Sequence, residues 1–256
     1  MLGDNMEKSV LFLNEPALGV IGGMGPMASA YFMELVTDMT EASCDQEHLT
    51  MYIASCPSVP DRTAFILGES KEDPVPGMID MGLFLQARGV SCIAIPCMTA
   101  HYFHDRLQES LKVHVIDAIE ETAGQLFDAG VRKAGVMATD GSVKSGIFHE
   151  RLKKKGIEYI TPDAAGQKKV MSLIYDDVKT GRKADLKAFF EVSDSLFKEG
   201  AEAVILGCTE LSVIKRDNDL GRGFIDCMEV LSKVSLETCG KPVKKERSIL
   251  FERREG

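Results

Sequence analysis

No run of apolar residues in this 256-residue chain approaches the roughly 18 that a membrane-spanning helix needs. Its first nine residues also lack the basic stretch followed by an apolar one that marks a secretion signal. These two absences predict a cytoplasmic protein with no membrane partner. Positive charge is short as well: 30 Lys and Arg stand against 39 Asp and Glu, a formal net charge of −9. Affinity for a phosphate backbone comes from clustered cations, so nucleic acid is not expected as a partner. The one basic cluster, residues 241–254, is diluted by Glu246 and Glu252 and reads as a solvated tail. There is no Cys-x-x-Cys pair, and the seven cysteines are odd in number, which fits neither a disulfide framework nor a zinc ribbon. His48, His104, His114 and His149 show no ligand spacing with one another or with the cysteines, so no metal is expected. The glycine-rich stretch 19–26 lacks the G-x-G-x-x-G spacing of a dinucleotide site; its glycines read as places where backbone comes close to a ligand. What remains is a globular composition, 45% hydrophobic and 27% charged, in a chain long enough for two domains.

Short β-branched runs alternate with helical patterns, which predicts an α/β fold with parallel sheets. Strands are expected at residues 17–21, 49–54, 91–95 and 113–116, with helices at 27–40, 75–88, 100–110 and 118–129. The pattern then restarts with strands at 134–138, 158–160, 203–206 and 223–226, and helices at 143–155, 166–179 and 183–198, before a last helical segment. The restart resembles an internal duplication. Ala17-Leu18-Gly19-Val20-Ile21 is echoed by Lys133-Ala134-Gly135-Val136-Met137, and 78 residues separate Gly19 from Cys97 while 73 separate Gly135 from Cys208. Ile116-Asp117 and Ile225-Asp226 continue the echo beyond each cysteine. The expected architecture is two pseudo-symmetric parallel-sheet α/β domains with the site in the cleft between them. Residues 1–116, joined by 227–256, form the first domain and residues 117–226 the second. Residues 1–16 precede the first strand and read as a loosely packed extension.

The chemistry is concentrated in two cysteines. Cys97 lies in Ile95-Pro96-Cys97-Met98-Thr99-Ala100-His101, and Cys208 in Leu206-Gly207-Cys208-Thr209-Glu210-Leu211. Each follows a strand and opens a helical pattern, where free N–H groups and the helix dipole bind anions and lower a thiol pKa. Ligands of parallel sheets bind at the carboxyl ends of strands, which is where both thiols fall. Two opposed thiols, one ionised and one not, are able to remove a proton from one face of a carbon and return one to the other. Thr99, Thr209 and neighbouring amides are placed to steady the charge that builds on an adjoining carboxylate. His101, four residues after Cys97, reads as an orienting or structural group rather than the base. Glu210 is open between capping the following helix and holding a substrate ammonium.

In these residues the chain resembles the cofactor-independent aspartate/glutamate racemases, and their aspartate racemase branch in particular. The markers are Gly22-Gly23-Met24-Gly25-Pro26, Asp61-Arg62-Thr63, Pro96-Cys97-Met98-Thr99-Ala100-His101, Ile174-Tyr175 with Val178-Lys179 and Gly181, and Gly207-Cys208-Thr209-Glu210. They run in order through residues 17–236. The resemblance implies a homodimer acting on an acidic amino acid without pyridoxal phosphate or any other cofactor. It makes Cys97 and Cys208 the proton donor and acceptor, gives the α-carboxylate to Thr99 and Thr209, and gives the side-chain carboxylate to Arg62 and Lys179. Met24, Thr63, Met98, Ala100, Thr139 and Glu210 complete the implied substrate-binding set. One position departs from the pattern: the family usually has Asn directly after the first cysteine, and here it is Met98. A thioether cannot donate the hydrogen bonds of an amide. Two other readings therefore stay open, an isomerase of a related carboxylic or amino acid and a carboxylate-binding protein without turnover.

Overall fold

A computed structural model gives the fold, with residues 15–254 described. All of the expected N-terminal extension except Glu15 and Pro16 lies outside the described residues. The first half contains β1 (Ala17–Gly22), α1 (Pro26–Met39), β2 (Thr50–Ser55), α2 (Arg62–Ile66), α3 (Val75–Gln86), β3 (Cys92–Ala94), α4 (His104–Ser110), β4 (His114–Val115) and α5 (Ala118–Asp128). The second contains β5 (Lys133–Ala138), α6 (Asp140–Ser145), α7 (Ile147–Lys154), β6 (Glu158–Ile160), α8 (Ala164–Ser172), α9 (Leu186–Lys198), β7 (Ala203–Gly207), α10 (Thr209–Asp217) and β8 (Phe224–Asp226), followed by α11 (Cys227–Thr238). The strands form two four-stranded parallel sheets, ordered β2-β1-β3-β4 and β6-β5-β7-β8. The two orders are the same order, so the sequence echo is a repeat of topology.

Every residue of β1 and β7 is buried, which explains why they read as unbroken apolar runs: helices cover both faces of each sheet. Helix α1 opens on Pro26, where a missing N–H costs nothing, and buries Phe32, Leu35, Val36 and Met39 along one stripe. A central core cluster unites Leu18, Phe32 and Cys92 of the first half with Val136, Ile205 and Leu231 of the second. Separate clusters lie under α3 and α4 of the first sheet and under α8 and α9 of the second. Helix α11 packs against both α1 and α5.

Three helices differ from the sequence expectation. The segment after Cys97 is a 3-10 turn, Met98–Phe103, before α4 begins. The helix expected at 143–155 is broken into α6 and α7 at Gly146, whose φ of 72° is left-handed. The helix expected at 166–179 passes from α8 into a π-helical turn, Leu173–Asp177, and a 3-10 turn, Val178–Thr180. The basic tail packs as a strap. Val243 bridges Thr40, Leu250 is buried, and Arg253 donates to Glu202 at 2.7 Å and to the Gly130 carbonyl at 2.6 Å. Lys245, Glu252, Arg253 and Arg254 stay exposed to solvent, as the dilution by glutamate led one to expect.

Beside each cysteine-bearing turn stands an aspartate at or just past the end of the neighbouring strand. Asp226 accepts from Ser212 Oγ, four residues past Cys208, at 2.6 Å and from the Met228 amide at 2.8 Å. Burial, with Glu229 nearby, pushes the Asp226 carboxyl up to about 7 against the pull of Lys215. In the first half Asp117 caps α5 and faces His101, four residues past Cys97, at 3.8 Å. His101 Nε2 lies 3.1 Å from the Ile95 carbonyl, and burial pushes its pKa down. A neutral ring with Nε2–H donating to Ile95 is the tautomer that fits, and Arg151 at 3.1 Å pairs with the Asp117 charge. His101 is thus structural.

Space is tight just ahead of the second thiol. A Cβ at Gly207 would lie 2.7 Å from Phe148 Cζ and 3.1 Å from Ala138 Cβ. Gly207→Ala is expected to lower stability by about 1–3 kcal/mol through overpacking and to displace Cys208. A thermal melt with the wild-type midpoint would contradict this.

Candidate active site

Both cysteines are 7% exposed and face one small chamber between the halves. Cys97 follows the interior strand β3 through Ile95 and Pro96 in extended conformation, and its carbonyl accepts from the Ala100 amide at 3.0 Å. That three-residue closure is what makes the following turn 3-10. Cys208 is the N-cap of α10, extended, with its carbonyl accepting from Leu211 and Ser212. Only Cys208 therefore sits at the start of an α-helix.

The chamber brings together eleven further residues: Met24, Asp61, Arg62, Thr63, Met98, Thr99, Thr139, Tyr175, Lys179, Thr209 and Glu210. Of the residues expected from sequence, Ala100 alone is missing from its wall. Its short side chain is turned into the cluster of Ile21, Ile95, Phe103 and Leu107. Met98 is 2% exposed and belongs to the central core as well as to the chamber wall. Asp61 and Tyr175 were not singled out as site residues by sequence reasoning. Asp61 carried a signal, since it caps α2 by accepting from the Ala64 amide at 2.8 Å.

The two halves meet at a triangle of hydroxyls. Thr99 Oγ1 and Thr139 Oγ1 are 3.0 Å apart, Thr139 and Ser142 Oγ 3.1 Å, and Ser142 donates to Thr99 at 3.2 Å. Thr139 also caps α6 through the Ser142 amide, a spacing that would have disclosed Ser142 as its partner. Each hydroxyl both donates and accepts, so Thr99 is able to turn its proton toward an anion without leaving the triangle.

Arg62 and Lys179 bring positive charge to the chamber. Arg62 opens α2 and donates from Nη1 to the Pro60 and Val59 carbonyls at 2.9 and 3.2 Å and from Nη2 to the Met24 carbonyl at 3.4 Å. Its Nε is buried with no hydrogen-bond partner among the described residues, an uncompensated donor that an anion would satisfy. Lys179 Nζ lies 3.7 Å from the centre of the Tyr175 ring. Burial opposes the Lys179 charge, but Glu210, Tyr175 and Cys208 outweigh it and hold the ammonium above its ordinary range.

Glu210 is the partner of the second thiol. Its Oε2 accepts from Cys208 Sγ at 2.8 Å and from Thr209 Oγ1 at 3.0 Å. Burial first, then the Glu210 charge and this hydrogen bond, push the Cys208 thiol well above its ordinary range, with Lys179 pulling the other way. The helix-terminus argument predicted the opposite direction. It omitted the cost of removing a thiolate from water, and it omitted a carboxylate two residues away. These surroundings favour Cys208 as the thiol over the thiolate.

The sequence and fold that carry these residues are matched by known proteins. Residues 21–233 match the family described as Asp/Glu/Hydantoin racemase, and the chain belongs to that family. It is accordingly an isomerase of the racemase type. An aspartate racemase from Picrophilus torridus is 30% identical with a TM-score of 0.79, over 92% of this chain and 99% of that one. RacX of Bacillus subtilis (strain 168), a broad-specificity amino-acid racemase, is 28% identical over 227 residues, covering 86% of this chain and 97% of its own. The glutamate racemase of Francisella tularensis in complex with D-glutamate shares the two-domain fold at 20% identity and a TM-score of 0.61, over 87% of this chain and 80% of that one. Among the described residues no helix is long and apolar enough to cross a membrane.

Removing the Glu210 charge takes away the coulombic cause that raises the Cys208 thiol, while a glutamine oxygen can still accept its hydrogen bond. Glu210→Gln is expected to lower the pH at which Cys208 is half-maximally alkylated by iodoacetamide. Mass spectrometry of the Cys208 peptide reads this, and an unchanged or higher midpoint would contradict it.

Proposed function

We propose that the protein interconverts the enantiomers of an acidic α-amino acid, aspartate being the reference substrate, by a two-base mechanism through Cys97 and Cys208. The observation that carries this reading is that the two thiols face one chamber beside an unpartnered buried guanidinium donor and a lysine ammonium. An amino acid with a second carboxylate supplies the acceptor those donors lack. Arg62 and Lys179 bind the side-chain carboxylate. Thr99, Thr209 and the amides that open α10 bind the α-carboxylate, and Glu210 is placed for the ammonium.

The protons balance between the two cysteines. Cys97, as thiolate, takes the α-proton: the Cα–H bond breaks, a Cys97 S–H bond forms, and the electron pair passes into the α-carboxylate. Hydroxyl and amide donors around that carboxylate stabilise the added charge as it develops. Cys208, already protonated, gives its proton to the opposite face of Cα and is left as thiolate, with the Lys179 ammonium offsetting its charge. The reverse sequence racemises the other enantiomer. After product leaves, Cys97 gives its proton to solvent and Cys208 regains one from solvent by way of Glu210, which resets the pair.

The chamber has a volume of about 20 Å³, which is room for about one water molecule. Substrate must therefore widen it. Tyr175 and Lys179 sit on the π-helical and 3-10 turns that follow α8. Irregular helical turns of this kind are more readily rearranged than a regular helix. Their displacement opens the chamber, and their return excludes water from the thiols.

The resemblance to the Picrophilus torridus aspartate racemase supports the choice of aspartate, and the resemblance to RacX supports a wider range. Proton NMR of L- and D-aspartate with the reduced protein in D₂O tests the reading. Both α-proton signals are expected to disappear while optical rotation decays to zero. Cys97→Ala and Cys208→Ala are each expected to slow racemisation at least about a hundredfold with the circular dichroism spectrum unchanged. A wild-type rate in either variant would sink the mechanism.

A further inference from the structure

A second cavity of about 350 Å³ adjoins the reaction chamber. The two share Met24, Arg62, Lys179, Thr209 and Glu210, which form the neck between them. The cysteines line only the chamber, so reacting atoms belong there and anything in the outer cavity is a side chain. Beyond the neck not one residue of the wall carries a polar side chain. The wall is Pro26, Met27, Pro57, Val178 and Val213, completed by glycines and an alanine. Met27 is 72% exposed, a large apolar side chain held in water at the mouth. Met98, in the chamber wall, continues the apolar lining inward.

We infer that this vestibule receives the side chain of neutral amino acids with large apolar groups, such as phenylalanine and methionine, and that the protein racemises them in addition to acidic amino acids. The inference rests on the two-thiol reading above and extends its substrate class. With Cα between the thiols, a short acidic side chain ends at the neck on Arg62 and Lys179. A longer apolar one passes the neck and loses its water against the methionine, prolines and valines beyond. The cations do not bar this passage. Lys179 already lies against the Tyr175 ring, and a substrate ring in the neck meets the same cations in the same way. Volume is sufficient, since a dry apolar cavity of roughly 150 Å³ accommodates benzene. Aspartate leaves the vestibule empty of everything but water, so a wall made wholly of apolar groups has no use in a site for aspartate alone.

The test is α-proton exchange in D₂O for L-phenylalanine, L-methionine and L-aspartate side by side, followed by Met27→Ser and Val213→Thr. Exchange of all three is expected in the wild-type protein. Each variant should lower kcat/KM for phenylalanine about tenfold more than for aspartate, the scale of one lost methylene contact in an apolar pocket. Val213→Thr conserves shape, so a folding defect in the other variant does not remove the test. Exchange of aspartate without phenylalanine or methionine would overturn the inference and leave the acidic-substrate reading standing. Exchange of phenylalanine without aspartate would do the reverse, and no exchange of any amino acid would overturn both. Phenylalanine exchange that neither variant weakens relative to aspartate would remove the vestibule as its site.

Discussion

Each thiol is placed by the end of an interior parallel strand, and the rest of the site depends on that constraint. β3 and β7 are both flanked by strands on either side and covered by helices on both faces, so their carboxyl ends have almost no freedom to shift. The residue four positions beyond each cysteine is then anchored. Ser212 is bound by Asp226, and His101 is bound to the Ile95 carbonyl under Asp117. Two copies of one device, joined by a shared core, bring both thiols to the wall of one chamber. Gly207 and the Phe148 ring that packs on it show how little slack that placement leaves.

The duplication is one of backbone, and the electrostatics break it. Cys208 has Glu210 at hydrogen-bond distance and begins an α-helix, whereas Cys97 is followed by a 3-10 turn with Met98 and Thr99. The proposed two-thiol mechanism needs one acid and one base at any moment, and the unlike surroundings distinguish the two thiols before substrate arrives. Lys179 connects the two requirements. It offsets Glu210, it is held against Tyr175, and it rides on the irregular turns beside the chamber.

Topology was legible in the sequence because buried parallel strands announce themselves as short β-branched runs and because the runs repeat. The two cysteines stood out for the same reason, and the chamber collects all but one of the residues expected around them. What escaped were features set by three-dimensional partners. The 3-10 turn after Cys97 is set by the Ala100 amide closing on the Cys97 carbonyl. The break at Gly146 depends on a left-handed residue inside an otherwise helical pattern. The tail packs because Arg253 reaches Glu202 and the Gly130 carbonyl, far away in the chain. The direction of the Cys208 shift was wrong for a related reason. A helix terminus is visible in sequence, but burial and a carboxylate folded back onto the sulfur are not.

The central claim is that protons enter and leave opposite faces of Cα through different thiols. Early in the reaction of L-aspartate in D₂O, before appreciable conversion, the isotope content of product and recovered substrate distinguishes this from a single shared base. The account predicts deuterium at Cα in nearly all of the D-aspartate formed and protium in the L-aspartate that remains. Protium carried from the substrate into D-aspartate, or deuterium in the recovered L-aspartate ahead of product, would contradict it.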